Sequence, residues 1–198
     1  NSRDLVSSGD EQQDRKQFDK FAVAFSQSHK IVDNQGKRLL EVGRNGWQFP
    51  IPLVEKDGKW SFDVEAGKEE ILNRRIGANE LNVTKFCIAY VDAQKEYAQE
   101  DRDGDGALEF AKYLQSHTDR RDGLYWQASE AEKKSPVGPL AANADAEKST
   151  QAIPFHGYFF KVLTQQGPSA SGGAKNYVGW GGAMKDGFAL LAYPSKWG

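Results

Sequence analysis

Asp101-Arg102-Asp103-Gly104-Asp105-Gly106-Ala107-Leu108-Glu109 stands between a long helical pattern that runs into it and a shorter one that leaves it. Three aspartates alternate with other residues, a glycine follows the third, and a glutamate takes the ninth place. Upstream, Val83, Phe86, Cys87, Tyr90, Ala93 and Tyr97 fall on one helical stripe, which predicts a helix capped by Asn79 and running to about Gln99. Downstream, Leu108, Phe110, Ala111 and Leu114 predict a short helix that Asp122-Gly123 breaks. The acidic stretch is thus expected to be a loop between two helices.

Working back towards the start, Gly67 is expected to open a helix over Lys68–Arg75, with Glu69 and Glu70 at its positive end and Arg74 and Arg75 at its negative end. Gly77 should stop it. Before that come Trp60–Asp63, an Asp57-Gly58 hairpin turn, and an aromatic strand over Trp47–Val54. Pro50 and Pro52 confine that strand to an edge or a bulge. Lys30–Val42 reads as strand, turn at Asn34-Gln35-Gly36, and strand. Phe18, Phe21, Ala22 and Phe25 predict a helix from about Asp14 to Ser26, with Ser8-Gly9-Asp10 as a turn or cap. Towards the end, Leu124-Tyr125-Trp126 is an apolar anchor and Gln127–Ala152 a surface excursion. Ile153–Thr164 is a strand, residues 165–184 form glycine-rich loops, and Phe188–Tyr193 is a last strand. The order gives an α+β fold, an antiparallel sheet with packed helices. Three stretches are expected: 1–126 with the acidic loop, the excursion 127–152, and a strand region 153–198 packing on the same core.

Composition bounds the function. At 198 residues, with 38% hydrophobic and 12% aromatic residues, the chain can bury a core without staples. A net charge of -2 provides no electrostatic footprint for nucleic acid. No apolar run reaches the ~18 residues that a membrane span requires. The single Cys87 excludes an intramolecular disulfide and any cysteine-based zinc site.

The acidic loop is the sharpest chemical signal. Alternate aspartates can turn their carboxylates to one point, and glycine at the sixth place permits a sharp turn. Calcium, a hard cation, takes six to eight oxygens. Asp101, Asp103 and Asp105 match the first half of an EF-hand loop, with the Ala107 carbonyl at the seventh place and Glu109 at the ninth. The twelfth place is Lys112, so the usual bidentate glutamate is missing. Glu109 is expected to substitute, as in shorter calcium loops resembling dockerin or thrombospondin repeats, with Asp92, Asp119 or Asp122 as further candidates. The ion is expected to be structural, because no obvious nucleophile lies near in sequence. The competing reading is a solvated Asp-Gly turn with no ion.

Other chemistry is thinner. His29, His117 and His156 have no zinc-helix spacing. His156 with Tyr158 could form a general-base pocket, or be an ordinary strand histidine. His29 and His117 read as surface or capping residues. There is no Gly-x-Ser-x-Gly elbow and no phosphate-cradling Gly-x-x-x-x-Gly-Lys loop. The five tryptophans are read as core, with a sugar- or peptide-binding cleft as the alternative.

Several ordered stretches together resemble a bacterial family known as domain of unknown function 2950. They include Trp47-Gln-Phe-Pro-Ile-Pro-Leu53, Gly67–Gly77, Tyr90–Tyr97, Asp101–Gly106, Arg121-Asp-Gly-Leu-Tyr-Trp126, Pro154-Phe-His-Gly-Tyr158 and Gly187–Pro194. The resemblance implies an exported envelope protein, periplasmic or secreted, with no established reaction. It also implies helical sequence before Leu5 and a further strand after Pro194, so an unpaired sheet edge is expected near Gly198. The first half is similar, at the level of fold alone, to nuclear-transport-factor-2-like proteins. The leading expectation is a non-enzymatic binding or assembly protein with a structural calcium loop, its partner another envelope protein or a second copy. The alternative is a hydrolase or small-ligand-binding enzyme built around His156 and Tyr158.

Overall fold

The computed structural model describes residues 11–34, 37–118, 120–128, 134–145 and 152–196. The expected cap at Ser8–Asp10, turn residues Gln35 and Gly36, candidate ligand Asp119 and strand edge near Gly198 lie outside them. The fold is α+β. It divides into two compact units, 1–77 and 78–198.

In the first unit, helix α1 (Glu11–Gln27) leads into strands β1 (His29–Asn34) and β2 (Lys37–Val42). These pair antiparallel from His29↔Val42 to Asn34↔Lys37, as the apolar pattern predicts. The helix is anchored by Phe21, whose ring lies 5.5 Å from that of Phe49. The expected Trp47–Val54 strand is split at its prolines into β3 (Trp47–Gln48) and β4 (Leu53–Lys56). Both halves pair with β2. Asp57 and Gly58 both have positive φ, 52° and 70°, the backbone of a type I′ turn. They join β4 to β5 (Lys59–Phe62).

The two helices expected over 68–99 are one helix, α2 (Val64–Tyr97). It starts earlier than Gly67, because Asp63 is the cap: its Oδ1 accepts the Ala66 N–H at 3.2 Å and its carbonyl accepts the Gly67 N–H at 3.0 Å. Gly67 instead lets the helix approach the connection between β3 and β4, since a Cβ there would stand 2.7 Å from Cγ1 of Ile51. Gly77 does not stop the helix. A lone interior glycine costs about 1 kcal/mol relative to alanine, which 34 residues of helix absorb. The division between units nevertheless falls at Gly77.

The second unit holds the larger core. Tyr90, Ala93 and Tyr97 of α2 pack with Leu114, Leu124, Trp126, Phe160, Val162, Tyr177 and Met184 in one buried cluster. The short helix expected after the acidic loop does not form. Its backbone is committed elsewhere: Phe110 N–H donates to the Met184 carbonyl and Ala111 N–H to Oε1 of the buried Gln94. The segment runs extended into β6 (Tyr113–Gln115), which pairs parallel with β7 (Gly123–Tyr125). Only residues 116–122 link them, less than the roughly dozen residues that a parallel connection usually takes. Gly123 makes that possible, because a Cβ would lie 2.6 Å from the Ser116 nitrogen.

Within 127–152, the expected surface excursion, the described residues include the short helix α3 (Pro139–Ala142) and bury Val137, Ala141, Ala142 and Ala144. Strands β8 (Tyr158–Leu163) and β11 (Ala189–Pro194) pair antiparallel. Between them lie the short pair β9 (Gln165–Gln166) and β10 (Lys175–Asn176).

Candidate functional site

The acidic loop begins where α2 ends, and Arg102 fastens it there. The guanidinium donates from Nε to the Tyr97 carbonyl and from an Nη to the Glu96 carbonyl, both at 3.1 Å, which satisfies open acceptors at the helix end. Asp101 then organises the turn. Its two carboxylate oxygens accept the Gly104 N–H at 2.8 Å and the Gly106 N–H at 2.9 Å, while Asp105 Oδ1 accepts the Ala107 N–H at 2.8 Å. Gly104 and Gly106 both adopt positive φ, 78° and 86°, which other residues resist.

This folding brings Asp101, Asp103 and Asp105 together, with one carboxylate oxygen from each within 4.8 Å of the others. Glu109 stands outside that trio but close enough to feel it. It is 3% exposed; burial pushes its carboxyl up from the ordinary value, and the negative charges of Asp103 and Asp105 push the same way. Glu109 Oε2 accepts the Met184 N–H at 2.6 Å. Lys112 Nζ lies 3.5 Å from Oε1 and donates to the Gly182 carbonyl. Two buried carboxylate oxygens, Asp103 Oδ1 and Glu109 Oε1, have no hydrogen-bond partner. A buried acceptor without a donor is costly, and a hard cation satisfies such oxygens. The donor set, all oxygen and all acidic, therefore fits calcium. The EF-hand likeness stops at the loop, because no exit helix follows it. Of the further candidates, Asp92 is exposed and outside the trio, and Asp122 is engaged by a histidine.

His156 is not in a strand. It occupies a two-residue turn with Gly157, both at positive φ, closed by reciprocal backbone bonds between Phe155 and Tyr158. Its exposed ring lies against Phe155 at 4.2 Å. The apolar cleft of about 400 Å³ beside Phe155 is lined by Phe86, Val137 and Pro139, and includes neither His156 nor Tyr158. Among the described residues no carboxylate bonds to His156. Of the tryptophans, Trp126 is buried, Trp47 and Trp60 are half-exposed, and Trp180 is fully exposed.

The histidine that does meet a carboxylate is His117, read above as a surface or capping residue. Its Nδ1 lies 2.7 Å from Asp122 Oδ2, and its backbone N–H donates to Asp122 Oδ1 at 2.9 Å. The Tyr113 ring stands edge-on to the imidazole, 4.7 Å away. The only sequence signal for this pair is a His and an Asp within one turn-rich stretch before Gly123, which is too common to single out.

No curated protein and no solved structure matches this chain. A family model described as protein of unknown function (DUF2950) matches residues 1–198. The match covers every stretch on which the resemblance rested, and the chain belongs to that family.

Proposed function

We propose that this is an exported protein of the bacterial envelope, periplasmic or secreted, in which the acidic loop holds a structural calcium ion. The protein acts by binding or assembly, with another envelope protein or a second copy as partner. The observation that carries the cation is the pair of buried oxygens on Asp103 and Glu109 that accept no hydrogen bond, beside three converging aspartates. Asp101, Asp103 and Asp105 supply carboxylate oxygens, Glu109 supplies Oε1, and the Ala107 carbonyl completes the set. The ion would then tie the end of α2 to the segment at Met184, through the Glu109 carboxylate that already accepts the Met184 N–H. Helices of the described residues are not long and apolar enough to cross a membrane.

The test is a thermal melt of metal-stripped protein with calcium, magnesium or chelator, repeated for Asp103→Ala. Calcium at ~100 times its dissociation constant should add about 2.7 kcal/mol, selectively over magnesium and not in the variant. An identical melt in calcium and chelator would reduce the loop to a self-bonded turn.

A further inference from the structure

Trp180 stands at the tip of a tight turn in the second unit, within Val178-Gly179-Trp180-Gly181-Gly182-Ala183-Met184. Two backbone bonds close the turn. Gly182 N–H donates to the Gly179 carbonyl at 3.1 Å, and Gly179 N–H to the Ala183 carbonyl at 2.9 Å. Below them Val178 pairs with Met184. Gly181 and Gly182 both take positive φ, 109° and 88°, which glycine adopts without strain. The indole is as exposed as in an unfolded chain. Among the described residues it has no ring, cation or hydrogen-bond partner.

The base of this tip is fixed. Met184 is fully buried; its N–H donates to Glu109 Oε2 and its carbonyl accepts the Phe110 N–H. The Tyr177 carbonyl accepts the Lys185 and Asp186 N–H groups at 3.1 and 3.2 Å. Three lysines gather at the base. Lys112 Nζ donates to the Gly182 carbonyl and Lys175 Nζ to the Asp186 carbonyl, while the exposed Lys185 follows Met184 in the chain. The acids there are the exposed Asp186 and the buried Glu109, whose Oε1 lies 3.5 Å from Lys112 Nζ. Beyond Glu109 come Asp103 and Asp105 of the acidic loop, close enough for their charges to act on it.

We propose that this tip docks the protein on an anionic phospholipid surface, with the Trp180 indole seated at the headgroup boundary and Lys112, Lys175 and Lys185 supplying the attraction to lipid phosphates. The indole is a large apolar surface that nothing in the fold covers. Its chain neighbours are glycines. They offer no side chains for the ring of supporting contacts that encloses a tryptophan at a protein interface, and no polar groups to hold a sugar against its face. A lipid boundary requires neither, because it moulds itself to the tip, and an amphipathic indole settles at headgroup level. A single inserted group binds only marginally, so a second attraction is required, and the lysines provide it. The envelope proposed above presents such surfaces. Calcium in the acidic loop would cancel charge that opposes anionic lipid. That part alone rests on the cation reading; the tip does not.

The experiment sediments the full chain with sucrose-loaded vesicles of equal parts phosphatidylcholine and phosphatidylglycerol, and with vesicles of phosphatidylcholine alone, in calcium and in chelator. Acyl chains brominated near the headgroup report insertion by quenching tryptophan emission. In calcium the mixed vesicles should carry the protein down with quenching, and phosphatidylcholine alone should carry far less. Trp180→Ala should lower the partition coefficient about tenfold or more and abolish the quenching. Its melting temperature should not change, because the ring lies outside the packing. Lys185→Gln should weaken binding to the mixed vesicles only. Mixed vesicles that leave the wild-type protein in solution, or that bind Trp180→Ala equally well, overturn the docking. A melting temperature raised by calcium alongside either result leaves the cation standing. Docking by a protein that calcium does not stabilise leaves the tip standing without the cation, and equal docking in calcium and chelator overturns the coupling between them.

Discussion

The two units bury their apolar residues very differently. In residues 1–77 the buried core side chains among those described are Val42 and Ile51, while Phe18, Ile31, Trp47, Trp60 and Phe62 are all exposed to 45% or more. In residues 78–198 one cluster includes Tyr90, Tyr97, Leu114, Leu124, Phe160 and Met184, each at 2% or less. Hydrophobic stabilisation follows area removed from water, so the second unit carries most of it. Both candidate sites sit on that second core. The acidic loop is pinned to α2 by Arg102 and to Met184 by Glu109, and the His117 connection is held between β6 and β7. A rigid base keeps donor geometry fixed, and this is where ligand chemistry is expected to reside.

The largest expected effect comes from removing the centre of that core. Phe160 is fully buried and its ring lies 4.6 Å from that of Phe86. Phe160→Ala should cost about 3–5 kcal/mol in urea unfolding. A loss below 1 kcal/mol would show that the second unit is loosely packed after all. Next comes Gly123→Ala. The added Cβ would meet backbone atoms of Gln115 and Ser116 at 2.6–2.7 Å, and backbone cannot swing aside. The expected cost is about 1–3 kcal/mol. The contact between His117 and Asp122 should be disturbed as well, which the imidazole ¹⁵N shifts would report. A neutral substitution would mean that β6 and β7 pair less closely than described.

What could be read from the sequence divides along physical lines. The β1–β2 hairpin, the Asp57-Gly58 turn and the α+β class were legible because each rests on local chemistry: alternation, positive φ, proline breaks. The clustering of Asp101, Asp103 and Asp105 was legible for the same reason, since their spacing alone brings them together. Helix boundaries failed where tertiary context decides. Gly77 looks like a stop, but the helix continues through it. Residues 108–114 look helical, but Gln94 and Met184 take up their backbone groups. The alanines of 141–144 looked like a polar surface segment because alanine contributes little hydrophobic signal, although all three are buried. His156 was favoured over His117 for its aromatic neighbours. The carboxylate that orients a histidine depends on how a connection closes on itself, and here it closes on Asp122 through a parallel pair that sequence patterns rarely announce.

The smallest effect tests the other side of the comparison. Strand β5 is exposed along its length, and Trp60 meets Arg38, whose guanidinium stands 4.3 Å from the ring centroid. A cation–π contact at an exposed site contributes roughly 0.5–1 kcal/mol. Trp60→Ala should therefore lower stability by no more than about 1 kcal/mol, independently of protein concentration, as read by urea unfolding at two concentrations well apart. A much larger loss that grows with concentration would mean that a second copy covers this face in solution. The thin core of residues 1–77 would then be half of a shared one, and the contrast between the two units would belong to the isolated chain rather than to the assembled protein. A small, concentration-independent loss leaves the exposed aromatics as surface, with the stability of the protein resting on the core behind Phe160.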